Sequence, residues 1–290
     1  MTAHPSQAFT YRCLSPSDFE ALHKCFLAAF VDYVVSMQIS ADHFRQRLFR
    51  DGVELELSVA AFAEIEMVGF SLNAPGKWQG VETAYDAGTA VLPSYRGEGV
   101  GKNMFAFMTQ ILKERNVHQC LLEVISTNVP AVRLYKNLGF EQTRTLAVLR
   151  SETFPSSRNT SGVELRTSPD LNWSQLKEFW SGEPSWQNSI AAIERVKSEC
   201  TLVAGYDGGG ECVGYGVAFN PGGTLMQLAV ADKNRRKGIG STILAALHED
   251  QGAKPLKINN VDYEIPEAIA FYETNGFKIV LDQFEMIKKL

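Results

Sequence analysis

The stretch AVLPSYRGEGVGKNMF, residues 90–105, sets a β-type apolar run against a loop of the form R-x-x-G-x-G, with Arg96, Gly99 and Gly101 at its marked positions. The stretch LAVADKNRRKGIGSTIL, residues 228–244, repeats it with Arg235, Gly238 and Gly240, each 139 positions further on. A second pair of blocks follows in the same order. AVRLYKNLGF occupies 131–140 and AIAFYETNGF occupies 268–277, with Ala, Tyr, Gly and Phe all offset by 137. Two blocks recurring in one order at nearly one separation mark a duplicated domain.

Working outward, the duplication predicts a first domain over 1–152, a linker over 153–162 and a second domain over 163–290. The segment SETFPSSRNTSG, 151–162, is rich in Ser and Thr and lacks apolar periodicity, as a linker does. The chain has 290 residues, enough for two domains that each bury a core. Its 45% hydrophobic and 21% charged residues are those of a globular rather than a disordered chain. A net charge of -5 argues against nucleic acid or an anionic membrane as partner, since both need clustered positive charge. The N-terminal MTAHPSQAFT has neither a basic nor an apolar leader region, so the expected location is cytoplasmic. The five cysteines, Cys13, Cys25, Cys120, Cys200 and Cys212, form no CxxC and no zinc spacing with histidine, so no metal is expected.

Each copy reads as strands first and βαβ-like alternation later. In the first, strands are expected at Phe9–Leu14, Leu57–Phe62, Met67–Leu72, Ala84–Leu92 and Gln119–Ile125. Helices are expected after Ser17 or Asp18, over Ala41–Phe49, over Gly101–Lys113 and from Pro130 to Leu138. In the second, strands are expected at Val163–Arg166, along a hairpin Leu202–Phe219 turning at Asp207–Gly210, at Leu225–Val230 and at Leu256–Ile258. Helices are expected at Leu171–Trp180, Gly240–His248 and Pro266–Asn275. The fold class is α+β, two domains each with a mixed, mostly antiparallel central sheet flanked by helices.

Glycines between a strand and a helix let the backbone approach a ligand, and the helix N-terminus adds open N–H donors suited to phosphate. Neither G-x-x-x-x-G-K-[ST] nor G-x-G-x-x-G is present. An ordinary strand-to-helix turn would explain one such loop; two copies of both blocks favour ligand binding.

With these motifs the sequence resembles the GNAT acetyltransferase superfamily. V-L-P-x-x-R-G-x-G-V-G, 91–101, looks like the family's pyrophosphate cradle, and N-x-P-A-x-x-L-Y-x-x-L-G-F, 128–140, like its following helix with a Tyr. The resemblance implies acetyl-CoA, or another acyl-CoA, as co-substrate. It implies direct transfer of an acetyl group to a primary amine of a small molecule or peptide. It places Val91, Arg96, Gly97, Glu98, Gly99, Val100, Gly101 and Lys102 around the pyrophosphate, with Asn128 orienting the pantetheine arm along the strand Gly88–Val91. In the second copy Val230, Arg235, Arg236, Lys237, Gly238, Ile239, Gly240 and Ser241 would do the same. Tyr135, and Tyr272 in the second copy, would protonate the departing thiolate. Asp86 or Glu123 would be the general base, with Asp86 preferred.

The second copy departs from the pattern. Asp232 stands where the first has Pro93, and Ile265 where it has Asn128, with Asn259 or Asn260 as substitutes. Catalysis is therefore expected in the first copy, and a second cofactor site or structural copy in the other. The acceptor should face Asp32–Ser40 and Lys77–Trp78, walled by Tyr33, Trp78 and Tyr85. Rival readings are a non-catalytic acyl-CoA sensor or scaffold, and a mycothiol-synthase-like or aminoacyl-transferase-like tandem enzyme. A monomer (an internal pseudo-dimer) and a homodimer are both compatible with the sequence.

Overall fold

The computed structural model describes residues 8–35, 37–151, 162–167, 170–250, 252 and 255–290. Residues 153–161 of the expected linker lie outside them. The chain divides into two compact units, and they are not simply its two halves. One comprises Met1–Val124, Asn128–Thr143 and Glu285–Leu290; the other comprises Ile125–Thr127 and Arg144–Phe284.

In the first unit the elements run β1 (Phe9–Cys13), α1 (Phe19–Ala29), α2 (Ala41–Asp51), β2 (Val59–Ala63), β3 (Glu66–Trp78), β4 (Val81–Val91), α3 (Val100–Glu114), β5 (Gln119–Ile125) and α4 (Val129–Asn137). Strands β1 to β5 lie side by side in chain order, antiparallel except for the parallel pair β4–β5. Strand β3 runs past its expected end through Pro75. Its pairing with β2 stops at Ser71, so the proline sits where β3 has only β4 as a partner and no ladder bond is lost. Phe26 of α1 stacks on Phe70 at 6.0 Å, while Met108 of α3 accepts a hydrogen bond from the Ser71 hydroxyl at 3.3 Å. Neighbouring residues of a strand point to opposite faces, so α1 and α3 cover opposite sides of the sheet.

The second unit contains β6 (Glu141–Ser151), β7 (Glu164–Thr167), α5 (Trp173–Leu176), α6 (Ile190–Arg195), β8 (Cys200–Tyr206), β9 (Cys212–Phe219), β10 (Thr224–Val230), α7 (Ile239–Asp250), β11 (Lys257–Asp262), α8 (Pro266–Thr274) and most of β12 (Phe277–Lys289). Its strands are ordered β7-β8-β9-β10-β11-β6, with β10–β11 parallel. Val203 packs with Ile243 and Leu247 of α7, whereas Leu202 and Ala204 pack with Ile193 of α6, so helices again cover both faces. The helix expected over Leu171–Trp180 is a single turn, α5, continued as a 3₁₀ turn at Lys177–Phe179.

Two long strands were not foreseen, and they are the ones that depart from the halves. Strand β6 follows α4 yet pairs antiparallel with β11, Lys257 opposite Arg150. The end of β12 belongs to the first unit, where the Leu290 N–H donates to His118 O at 2.9 Å and the Thr143 hydroxyl to Glu285 Oε1 at 2.7 Å. Most of β6 thus belongs to the second unit, and only the end of β12 to the first. Nothing local in a strand encodes which free edge it pairs with.

Candidate functional site

The first site forms where β4 and β5 part. They pair only over Thr83–Asp86 and Gln119–Leu122. On the other side, the β3–β4 register shifts between Leu72 and Asn73, opposite Gly88 and Asp86, and Ala87 is left as a bulge. Past it, β4 keeps its ladder with β3 while its other edge faces a gap. Such an edge offers backbone groups to an extended ligand. At the end of β4, Gly99 (φ 82°) caps α3 without any side-chain bond, so the first N–H groups of the helix stay available to an anion.

Arg96 does not point its charge there. Its guanidinium donates to Val91 O at 3.1 Å, to Ala29 O at 2.7 Å and to both Asp32 oxygens at 2.6 and 3.0 Å. In the second unit Arg235 makes the matching bonds, to Val230 O at 3.1 Å and Phe179 O at 2.9 Å. The arginine of the R-x-x-G-x-G loop therefore laces the loop to its strand and to the helical segment at the start of the unit. Main-chain carbonyls in reach, with Asp32 beside them in the first unit, take up the donors. Glu98 and Lys102 are exposed beside the loop, and Gly97 has φ 85°.

The ionisable groups converge at the bulge. Tyr135 on α4 is buried, edge-on to Phe105 at 5.8 Å and to Phe140 at 5.5 Å. Burial and the charge of Asp86 push its phenol well above the ordinary tyrosine value, while the Thr89 hydroxyl pulls the other way. Asp86 accepts from the Gly88 N–H at 3.0 Å and the Thr89 hydroxyl at 2.7 Å. Burial raises its carboxyl to about 6 despite those bonds. Glu123, half-buried on β5, accepts the Tyr85 hydroxyl at 2.6 Å. Asn128 caps α4 through the Ala131 N–H at 3.3 Å, and its side chain bonds Tyr33.

Of the aromatics expected to wall the acceptor pocket, Tyr33 and Tyr85 are at the cluster. Trp78 is core, only 3% exposed, and Lys77 pairs with Glu82 at 3.3 Å. The reason is register: Trp78 closes the β3–β4 hairpin opposite Val81, at the far end of β4 from the gap. Arg47 on α2, unmarked by any motif, donates to Ala87 O at 3.1 Å.

The second site has the same backbone and different chemistry. Strands β10 and β11 pair only at Thr224–Lys257 and Leu225–Ile258, and Met226 is the bulge, 139 residues after Ala87. A cavity of about 410 Å³ opens there, lined among others by Arg236, Gly238, Ser241, Asn259 and Tyr272. Val230, Arg235, Ile239 and Gly240 border it too, whereas Lys237 is exposed and outside it. Leu225 stands where Asp86 is, Leu228 where Thr89 is, and Asn259 and Asn260 follow the parallel pair where Glu123 is. Ile265 precedes α8 without a side-chain cap. The Trp180 indole donates to the Tyr215 hydroxyl at 2.6 Å, which donates to Gln227 Oε1 at 2.6 Å; Gln227 Nε2 donates to Asn188 O at 2.6 Å. Burial raises the Tyr272 phenol, as it does Tyr135. Arg236 holds φ 63°, a left-handed backbone that Gly97 supplies in the first loop.

Among the described residues no cluster of three or more His, Cys, Asp or Glu could hold a metal ion, and no helix is long and apolar enough to cross a membrane. Burial pushes the Cys25 and Cys120 thiols up to about 12, which keeps them from acting as thiolates.

A split parallel pair, a bulge and a glycine loop before a helix, present twice, define a tandem acyltransferase fold. The sequence matches the Acetyltransferase (GNAT) family over residues 16–140 and an Acetyltransferase (GNAT) domain over 197–279. A Bacillus subtilis relative, named as a candidate ribosomal protein bS18 alanine N-acetyltransferase, is 30% identical over 114 residues, 38% of this chain and 74% of its own. A GCN5-related N-acetyltransferase from Sphaerobacter thermophilus shares the fold at TM-score 0.76 and 16% identity, covering 99% of this chain and 97% of that one. A tandem GNAT protein from the clavulanic acid biosynthesis pathway does so at TM-score 0.76 and 11% identity, covering 97% and 98%. The chain belongs to the GNAT acetyltransferase family, as a tandem two-domain acyltransferase.

Proposed function

We propose that the chain is an acetyl-CoA-dependent N-acetyltransferase whose first unit transfers an acetyl group to a primary amine of a small molecule or peptide. The observation that carries this reading is the meeting of Tyr135, Glu123 and the open β4 edge at one bulge, against a second unit in which apolar and amide side chains replace the carboxylates. The first unit fits the co-substrate through its uncapped α3 and the β4 edge beyond Ala87. Acetyl-CoA would supply an activated thioester there. The loop N–H groups of Gly97 to Gly101 would hold its pyrophosphate, and Gly88 to Val91 its extended arm.

Glu123, rather than Asp86, is the better base. Asp86 has a bond on each oxygen from its own bulge and is 6% exposed, so it braces the backbone. Glu123 is half-buried, and Tyr85 fixes its orientation. As the amine nitrogen bonds to the acyl carbon, Glu123 takes the amine proton. As the carbon–sulfur bond breaks, Tyr135 gives its proton to the sulfur. A thiol has a pKa of about 8.5, so its anion leaves with little help, and a phenol held protonated by burial is a suitable donor.

In the second unit Leu225 and the Asn259–Asn260 pair stand where the first has Asp86 and Glu123, while the cavity and the Arg236 loop are suited to an acyl-CoA. We assign it a second binding site without transfer. Tyr135→Phe and Tyr272→Phe separate the two: turnover, read as thiol release, should fall at least tenfold in the first and stay within twofold in the second. The opposite outcome would move catalysis to the second unit.

A further inference from the structure

The geometry points to an acceptor that carries a carboxylate as well as its amine, with Arg47 as the residue that binds that carboxylate; this rests on the proposed transfer at the first unit. Arg47 and Arg50 both approach Asp51, which is fully buried. Arg50 takes it, through Nε and Nη2 each at 2.8 Å. Arg47 Nε lies 3.9 Å away, beyond hydrogen-bond length. Asp51 is thus shared unequally: its close bonds go to Arg50, and Arg47 keeps only the longer ion pair. That side chain is 27% exposed, so the charge is neither sealed in the core nor fully given to water.

Its place in the fold makes this a matter of specificity. Nη2 donates to the carbonyl of Ala87, the bulge residue where β4 and β5 separate. Its charge also reaches Tyr33 and Tyr85, the two phenols of the acceptor side. Tyr85 in turn holds Glu123. A carboxylate suited to receive an amine proton and a guanidinium with donors to offer therefore flank one phenol. That pairing complements an amino acid or a short peptide with a free carboxylate, which a planar guanidinium binds bidentately. A simple alkylamine or polyamine would offer the Arg47 fork no carboxylate of its own to bind.

The experiment pairs free amino acids with their amides as acceptors, under saturating acetyl-CoA, with thiol release as readout. The wild type should show kcat/KM at least tenfold higher for the acids, mostly through KM. Arg47→Met should bring the acid-to-amide ratio to near one, and Arg47→Lys should retain an intermediate ratio because it keeps charge and loses the fork. A melting curve checks that each variant is folded. Equal wild-type rates on acids and amides would overturn the assignment, as would an unchanged ratio in Arg47→Met. No transfer to any amine, with acetyl-CoA bound, would instead overturn the proposed function itself.

Discussion

The two bulges share a backbone and differ in nearly every side chain that could move a proton. Around Ala87 stand Asp86, Thr89 and Tyr135, with Glu123 across the gap; around Met226 stand Leu225, Leu228 and Tyr272, with Asn259 and Asn260 across it. The loops differ in the opposite sense. The first carries Gly97 and Glu98, the second Arg236 and Lys237. One copy carries carboxylates beside its bulge, and the other carries the extra cationic side chains on its loop. Geometry alone would not have separated them, because register, bulge and arginine lacing coincide.

The sharpest way to break this comparison is Glu123→Gln. If Glu123 is the base, kcat should fall by about 10²–10³-fold with little change in acetyl-CoA affinity, since a positioned base is worth about that much. A loss under threefold would end the case for the first unit as catalytic through this residue. Next in size is binding. Gly99→Glu and Gly238→Glu each place a carboxylate and a strained side chain in a left-handed position of one loop. Each should remove one of two acetyl-CoA sites in calorimetry, and only Gly99→Glu should abolish turnover.

Asp86 gives a smaller, pH-dependent effect. Its carboxyl, raised to about 6, binds its proton more tightly in the folded chain than unfolded. The stability it contributes is thus fully present below about pH 4 and lost as pH rises to about 6. Asp86→Asn should flatten that loss, raising stability at pH 8 by about 1 kcal/mol while leaving pH 4 nearly unchanged, measured by denaturant midpoints. As a brace rather than a base, Asp86→Asn should keep turnover within about threefold. The smallest effect concerns the strained arginine. Arg236→Gly relieves a left-handed backbone and should stabilise the second unit by about 1 kcal/mol, or roughly 2–4 °C in melting temperature. It should also weaken acetyl-CoA binding there several-fold. Weaker binding without a gain in stability would mean that the left-handed turn carries no strain.

Much of this was legible in order of residues. The helix expected over Gly101–Lys113 is α3, and Pro130 sits in the first turn of α4. These elements follow from apolar spacing, capping and proline, which act within a few residues. The 3₁₀ segments of the second copy escaped because α5 has one turn and too short a period to register. At the site, the sequence placed Asp86 and Glu123 on adjoining strands and preferred Asp86 as the base, without the bonds that tell the two carboxylates apart. Asp86 looks like Glu123 in sequence; the bulge bonds from Gly88 and Thr89 distinguish it.

By itself the sequence determined the duplication and the two glycine loops with their helices. Both are written in short stretches whose physics is local: apolar period, left-handed glycine and open helix donors. The tertiary structure alone decided that β6 and the end of β12 change units, that Arg96 and Arg235 turn to carbonyls, and that Arg47 comes beside Ala87. Those outcomes depend on which edges and donors remain unsatisfied once everything else has packed. A buried donor or an unpaired strand takes the partner that is nearest in space, and sequence separation places no limit on it.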